Sequence, residues 1–437
     1  MLKQCIVFIL SLLPTVLFGA EVQTRIEKHR DNTWTVTYQA DTPVNKLVFN
    51  RTPNNSRVKR WQPDDSNYEI TFNKEHAKES ISRKDGRLFT EVKIRLTPTY
   101  TPLPKEYAPF SPFSEDGMLL HSGRFFACAS TCDDNANAWP LTIKAPGNHI
   151  IVEGKVHKNN VQWIGKDSGQ KVYVGHEAPI QDTHFVSLID GRLPPTLKKH
   201  IEKDLPKLMN FFADKMGILD YRPALFASFS ETDDGGYGHQ GGTLSNQIFL
   251  HWYGEKAIKK VNSESIFWFF AHEVAHLYQK QGADIENPSE AWLHEGAAEF
   301  LAGIASAKVA NNTGLLSKKI VTAQRHCLEG LKQEPNYIRA VKSNSRLHYN
   351  CGLVLINEIN HALVKNDKQL DIFDAWLSFN RQIESGKPAS VATFLNGIQT
   401  HLPSELVNSM TQLSQSTEFD AYAFFQALNV ANKGKTL

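Results

Sequence analysis

Alternating apolar and polar residues characterise the first part of the chain. Trp34–Tyr38 and Val92–Leu96 alternate with a period of two, which is typical of strands that bury one face. Lys46–Phe49, His149–Val152 and Lys171–Val174 are further apolar runs of strand length. Short strands without helical segments between them predict an antiparallel β-sandwich, which we place at residues 21–185.

The periodicity changes after residue 185. Leu225–Phe229 and Gln247–Tyr253 are strand-like, and the glycine-rich segment 235–242 between them is predicted to be a loop. From about residue 255 to the end, apolar residues recur at helical spacing. The whole pattern therefore predicts an α+β protein with a helical C-terminal region.

A long apolar run lies at the N-terminus. Lys3 precedes an apolar stretch from Cys5 to Phe18, and the small residues Gly19 and Ala20 follow it. This order is that of a secretory signal, and the stretch is shorter than the ~20 residues of a membrane span. We expect residues 1–20 to be a signal peptide, with an uncleaved anchor as the alternative. The mature chain is then exported, to the periplasm in a Gram-negative bacterium and otherwise by secretion.

Composition argues against several classes of protein. Hydrophobic residues make up 41% of the 437 residues and charged residues 22%, as in ordinary globular proteins. The 48 Lys and Arg nearly balance the 46 Asp and Glu, which leaves a formal net charge of +2. Such a balance gives no electrostatic reason to expect a nucleic-acid partner. Once the signal is removed, we also expect no integral membrane segment.

Four cysteines remain after the signal, namely Cys128, Cys132, Cys327 and Cys351. An even number in an exported chain favours disulfides, and four cysteines allow three connectivities. We favour the two local pairs, Cys128 with Cys132 and Cys327 with Cys351. A metal site that begins at Cys128 and Cys132 is the alternative, but no second Cys/His cluster in the sequence completes it.

The most informative motif is His272-Glu-Val-Ala-His276. It lies in the segment 265–279, which carries apolar residues on all sides, as a helix buried in a core does. Residues four apart share one face of a helix, so both imidazoles can reach a single cation. Glu273 then lies beside the remaining coordination space.

A third ligand is predicted at Glu295. Asn287 and Pro288 mark the start of a second helix, and we expect Glu295 two turns into it. Two histidines and one glutamate, with a fourth position open to water, are a ligand set of hydrolytic zinc. Calcium and magnesium prefer shells made only of oxygen. We therefore predict one Zn²⁺ ion held by His272, His276 and Glu295.

These residues resemble those of the gluzincin metallopeptidases. The motif His272-Glu-x-x-His276, the eighteen residues between His276 and Glu295, and the run Trp-Leu-x-Glu295-Gly are similar to the zinc motif of the aminopeptidase N and glycyl aminopeptidase families. The resemblance implies a zinc peptidase with peptide substrates, and most simply an aminopeptidase. It also implies a thermolysin-like catalytic domain, placed at residues 186–335, and a helical domain at residues 336–437.

The resemblance implies roles for three further residues. Glu273 is expected to be the general base that takes a proton from water. Tyr349 lies in a segment similar to the helix start whose tyrosine stabilises the oxyanion in these families, although Cys351 stands where they have lysine. Glu299 is one turn after Glu295, an offset at which thermolysin-like enzymes have a carboxylate that supports a ligand histidine.

The glycine-rich segment looks more like the glycyl aminopeptidase branch. We expect Gly241, Gly242 and Thr243 to bind substrate, since small residues let a peptide backbone approach an edge strand. The chain lacks the Gly-x-Met-Glu-Asn motif with which the aminopeptidase N branch binds a free amine. An endopeptidase of the same fold and a catalytically silent, zinc-containing peptide-binding protein therefore stay open as alternatives.

Overall fold

The computed structural model of the chain describes residues 21–433, apart from residues 104–105, 130–131, 133–137, 182–184, 233, 245, 260–261 and 280–286. The predicted signal at residues 1–20 lies outside the described residues. Contacts within the chain separate it into two compact units. Unit one takes the described residues up to Phe110, then Met118–Ile150 and His157–His176. Unit two takes Ser111–Gly117, Ile151–Val156 and the described residues from Glu177 onward.

The elements up to residue 175 are mostly strands. In chain order they are β1 (Val22–Lys28), β2 (Trp34–Val44), β3 (Lys46–Phe49), α1 (Ser56–Arg60), β4 (Gln62–Pro63), β5 (Tyr68–Asn73), β6 (Lys78–Arg83), β7 (Phe89–Arg95), β8 (Phe110–Pro112), β9 (Met118–His121), β10 (Ala127–Ala129), β11 (Trp139–Val152), β12 (Lys155–Gly165) and β13 (Lys171–Gly175). A 3₁₀ turn at Ser122–Arg124 follows β9.

These strands form two sheets. The nine-stranded sheet has the order β4-β7-β2-β1-β11-β13-β9-β8, with β12 beside β11, and the four-stranded sheet has the order β10-β3-β6-β5. The alternating runs of the sequence are strands here, as predicted. The prediction of antiparallel pairing is wrong for β1 and β11, which run parallel with Ile26 opposite Ile143. Both isoleucines are buried, which suits a parallel pair inside a sheet.

Disulfides join the two local pairs of cysteines that the sequence favours. Cys128 is bonded to Cys132 in unit one, and Cys327 is bonded to Cys351 in unit two. Cys351 therefore has a structural partner at the position where the resembling families have lysine.

Unit two begins with strands and continues with helices. Its further elements are β14 (Ile180–Gln181), β15 (Val186–Ile189), α2 (Pro195–Lys199), α3 (Leu205–Met216), β16 (Ala224–Ser230), β17 (Gly238–Leu244), β18 (Gln247–Tyr253), α4 (Glu255–Lys259), α5 (Ser263–Tyr278), α6 (Trp292–Val309), α7 (Leu315–Gln333), α8 (Tyr337–Ser343), α9 (Arg346–Asn366), α10 (Ile372–Glu384), α11 (Val391–Asn396), α12 (Ser404–Gln415) and α13 (Ala421–Lys433). A π-helical turn at His200–Asp204 joins α2 to α3, just before Pro206, which cannot donate a helical hydrogen bond. Among the described residues, the structure contains no helix both long and apolar enough to span a membrane.

The strands of unit two form a five-stranded sheet with the order β14-β15-β16-β18-β17. The glycine-rich segment predicted to be a loop supplies most of β17, which is the edge strand. Each residue of β17 lies opposite one of β18, from Gly238 opposite Tyr253 to Leu244 opposite Gln247. Pairing with β18 therefore outweighs the low strand propensity of the glycines.

Helices α6 and α9 meet at two glycines. A Cβ atom on Gly296 would lie 2.2 Å from the carbonyl carbon of Gly352, and a Cβ on Gly352 would lie 2.5 Å from the carbonyl oxygen of Trp292. The two helix backbones are thus in direct contact at this point. Both helices belong to unit two. Unit two also contains the described residues of both predicted ranges, 186–335 and 336–437. The division of these ranges into two domains stays a prediction.

Candidate metal centre

Helix α5 is buried on all sides where it carries the histidines. The side chain of Asn262 caps its first turn by accepting from the Ser265 amide, with 3.0 Å between Oδ1 and N. His272, Glu273 and His276 are buried in spite of their polarity. Buried polar side chains need partners, and those of these three residues come from α5 itself, α6 and β17.

The predicted ligand atoms converge on one point. The Nε2 atoms of His272 and His276 are 3.0 Å apart, and Glu295 Oε2 lies 3.3 Å and 3.2 Å from them, respectively. The ligand atoms of this group all lie within 4.8 Å of one another. Two imidazole nitrogens and one carboxylate oxygen in this arrangement fit a zinc ion with an open fourth position.

Glu295 reaches this point from the first turn of α6, so the prediction that it lies two turns into the helix is wrong. Asn287 does cap a turn by accepting from the Ser289 amide, as predicted, but that turn is a separate 3₁₀ turn at Pro288–Glu290. The helix proper begins at Trp292. The sequence signal therefore marked the start of the preceding turn.

Each ligand histidine meets a second side chain at its Nδ1 atom. His276 Nδ1 is 2.7 Å from Gln279 Oε1, and His272 Nδ1 is 3.2 Å from Glu299 Oε1. The second contact has the distance of an ion pair without the alignment of a hydrogen bond. Glu299 in turn accepts from the indole of Trp268, with 2.9 Å between Oε2 and Nε1. Such contacts orient the ligand rings.

Glu273 is held by the edge strand. Thr243 Oγ1 on β17 donates to Glu273 Oε2 over 2.6 Å. Gly241 and Gly242 lie on the same strand, opposite Leu250 and Phe249 of β18. The three residues predicted to bind substrate are therefore next to the centre in the fold, but the Thr243 side chain contacts Glu273.

Tyr349 lies beside the centre, in the first turns of α9. Its ring stacks on that of His272, with 5.8 Å between the ring centroids, and it is 37% exposed. The neighbouring His348 shares a hydrogen bond with the Tyr337 hydroxyl, 2.9 Å from Nδ1. Of these two side chains, Tyr349 is the one whose ring contacts a ligand histidine.

Comparison with known proteins gives the fold a name. No family model matches the sequence, and a search of the curated proteins finds no match. Native yeast LTA4 hydrolase matches with a TM-score of 0.54 and 12% identity, over 92% of this chain and 68% of that chain. An M1 zinc metallopeptidase from Deinococcus radiodurans matches with a TM-score of 0.50 and 12% identity, over 91% and 93% of the two chains. The chain has the fold of the M1 zinc metallopeptidases. The comparison confirms the predicted resemblance at the level of the fold, and it confirms the α+β class.

Opposite charges stabilise one another among the predicted ligand residues of this M1 fold. Burial opposes the charged form of His272, but contacts with Glu295 and Glu299 raise the pKa of its imidazole well above the ordinary value. Burial also opposes ionisation of Glu295, yet His276 and His272 hold the pKa of its carboxyl below the usual range. Burial, followed by the charges of Glu295 and Glu273, raises the pKa of the Tyr349 phenol. The phenol keeps its hydrogen at neutral pH, as an unperturbed phenol also does.

Two members of the M1-fold centre were missed by the sequence prediction. Trp268 precedes His272 by four residues, and Gln279 follows His276 by three. Both spacings place side chains on one face of a helix. Helical spacing from the two histidines, applied to all polar and aromatic residues of α5 and its C-cap, is the signal that could have found them.

Proposed function

We propose that this chain is an exported zinc-dependent peptidase, and most simply an aminopeptidase. The observation that carries the proposal is the convergence of His272, His276 and Glu295, beside a buried glutamate, in a chain with the M1 zinc metallopeptidase fold. Two imidazoles and one carboxylate leave a coordination position open, as catalytic zinc sites do and structural ones do not.

A zinc ion held by these three residues would supply Lewis-acid chemistry, lowering the pKa of water and polarising the scissile carbonyl. Glu273 takes a proton from the attacking water and delivers it to the nitrogen of the amine that leaves. Its burial near the cation site keeps this proton away from bulk solvent.

Tyr349 donates its hydroxyl hydrogen to the oxygen of the carbonyl as negative charge develops there. The contact of its ring with that of His272, 5.8 Å between centroids, supports this role because it places Tyr349 beside the cation site. Glu299 and Gln279 hold the ligand imidazoles in orientation from their Nδ1 sides.

Substrate class is supported by ligands of the same fold. Yeast LTA4 hydrolase is known in complex with bestatin, and a two-domain M1 zinc metallopeptidase is known bound to L-tryptophan. An amino acid bound in this fold supports peptides as substrates here. β17 is the last strand of the five-stranded sheet, the position at which an extended peptide adds to a sheet.

An endopeptidase is the second candidate function. No carboxylate lies on β17, from Gly238 to Leu244. The Gly-x-Met-Glu-Asn motif, with which the aminopeptidase N branch binds a free amine, is absent from the sequence. A site that does not bind a free amine would cleave blocked peptides as well. Peptides with free and acetylated N-termini separate the two candidates, since an aminopeptidase cleaves only the free form.

The proposal is tested with Glu273→Gln in a zinc-loaded protein and a mixed peptide library. We expect the variant to keep its zinc while hydrolysis falls by about 10²–10⁴-fold, because the amide cannot take the proton. Glu264→Gln, the same change at an exposed position of α5, is the matched control. Retained activity in Glu273→Gln rejects the assigned base, and a wild-type protein that binds but never cleaves peptides supports the silent peptide-binding protein.

Export is tested separately. N-terminal sequencing of the mature protein from the producing cell is expected to begin at or within a residue of Glu21. A mature protein that still begins at Met1 contradicts cleavage of the signal.

A further inference from the structure

The hydroxyl of Thr243 has two acceptors, and both belong to Glu273. Its Oγ1 atom is 2.6 Å from Glu273 Oε2 and 3.1 Å from the Glu273 backbone oxygen. The shorter distance lies within the range of O–H···O hydrogen bonds. A hydroxyl carries one hydrogen, so the carboxylate takes the bond and the backbone oxygen lies within reach of the same group.

Regular structure fixes both partners. Thr243 lies in β17, paired opposite Ile248 of β18, and Glu273 lies in α5. Threonine is β-branched, so its side-chain rotation is restricted. Glu273 is 8% exposed, so little water competes for its carboxylate. Groups carried on a strand and a helix keep their relative positions better than groups on loops do.

We infer that Thr243 is a positioning residue for Glu273, holding Oε2 so that Oε1 is the oxygen that takes the proton from water. The inference rests on the proposed function. It gives Thr243 a role toward the base, in place of the predicted contact with substrate.

The two carboxylate oxygens then have separate tasks. An unheld carboxylate can rotate and offers its oxygens to water in many orientations, whereas a held one offers one oxygen in one orientation. When the proton arrives on Oε1, Oε2 becomes a carbonyl oxygen that still accepts from the Thr243 hydroxyl. The same hydrogen bond therefore persists before and after proton transfer, and it needs no rearrangement during the reaction.

The kinetic test compares Thr243→Val, which keeps the shape without the hydroxyl, with Thr243→Ser, which keeps the hydroxyl without the methyl. We expect Thr243→Val to lower kcat by about 10–100-fold while KM stays within about twofold. Thr243→Ser is expected to restore most of kcat. Zinc content is measured for all three proteins, and we expect one ion in each. A wild-type kcat in Thr243→Val, or a raised KM with kcat unchanged, overturns the inference.

A second readout does not depend on activity. In crystal structures of the zinc-loaded proteins, we expect the Glu273 carboxylate to rotate or to occupy two orientations in Thr243→Val, and to keep its place in Thr243→Ser. An unmoved carboxylate in Thr243→Val overturns the inference even if the enzyme is active. If the carboxylate moves in Thr243→Val but the wild-type protein cleaves no peptide, the positioning contact is supported and the proposed peptidase is rejected.

Discussion

Gln279 accepts at its Oε1 atom the hydrogen of His276 Nδ1, 2.7 Å away, and donates from its Nε2 to the His294 carbonyl oxygen, 3.1 Å away. Its side chain is 0% exposed. With the hydrogen at Nδ1, the lone pair of His276 is at Nε2, the atom that faces Glu295 and His272. One buried amide thus sets the tautomer of a predicted cation ligand and ties the end of α5 to α6.

Replacement of Gln279 by Leu is expected to weaken zinc binding by about 10–100-fold, because the buried Nδ1 hydrogen of His276 loses its acceptor. Gln279→Glu, which keeps an acceptor, is the matched variant and is expected to retain affinity closer to that of the wild type. The zinc dissociation constant is measured by competition with a chelator. Equal constants for the wild type and Gln279→Leu would contradict this role.

The contact between Gly296 and Gly352 predicts a large effect of a single methyl group. Gly296→Ala places a Cβ atom against the Gly352 backbone, which cannot move aside as a flexible side chain would. We expect a loss of about 3 kcal/mol in the free energy of unfolding, together with weaker zinc binding, because Glu295 precedes this glycine. Gly314→Ala is the control, since a Cβ there meets nothing within 4 Å. Thermal unfolding of both variants measures the difference, and equal midpoints would refute the close approach.

The two disulfides are expected to differ in their contribution to stability. Cys327 and Cys351 are 24 residues apart in the sequence, so their bond closes a long loop, whereas Cys128 and Cys132 are only 4 residues apart. The loss of chain entropy in the unfolded state predicts stabilisation of about 3.5 kcal/mol for the longer loop and about 2 kcal/mol for the shorter one. Double Cys→Ala variants of each pair, compared by denaturant unfolding, check the order. A larger loss for the short loop would be the contrary result.

Lys171 predicts a pH-dependent stability for unit one. It is fully buried and donates to the Ala108 carbonyl oxygen over 3.2 Å. Burial, with a smaller effect of Arg124, lowers the pKa of its ammonium group to about 7. Between pH ~7 and ~10 the unfolded chain binds a proton at this lysine that the folded chain has lost. Stability therefore rises with pH in this window, by at most about 1.4 kcal/mol per pH unit.

Lys171→Met is expected to remove this slope, and Lys144→Met, at an exposed position of β11, is expected to leave it in place. Urea unfolding midpoints of the three proteins at several pH values across the window give the slopes. An unchanged slope in Lys171→Met would assign the pH dependence to another group.

The convergence of the two predicted histidine ligands could be foreseen because their arrangement is local. His272 and His276 are one helical turn apart, and a buried helix turns both imidazoles to the same side whatever surrounds it. The prediction of Glu295 required only a second helix packed beside the first. Trp268 and Gln279 each lie about one helical turn from a histidine of the pair, so the sequence could have indicated them as well.

The remaining contacts of the centre depend on tertiary structure. Thr243 and Glu273 are 30 residues apart, in a strand and a helix, and the glycines before Thr243 argued for a loop up to residue 242. Their strand exists because β18 pairs with it, a long-range effect that residue propensities do not contain. Tyr349 reaches His272 because α9 lies against α6, and only the contact of two glycine backbones reveals how closely these helices approach.

That contact also constrains the geometry of the centre. Gly296 directly follows Glu295, and Gly352 comes three residues after Tyr349. The main chains of the two helices touch at this joint, so the backbone fixes the positions from which the Glu295 and Tyr349 side chains extend. Surrounding apolar side chains can be exchanged for others of similar volume without altering them. Widely divergent sequences can thus keep the same geometry at the proposed centre, provided that these two positions stay free of side chains.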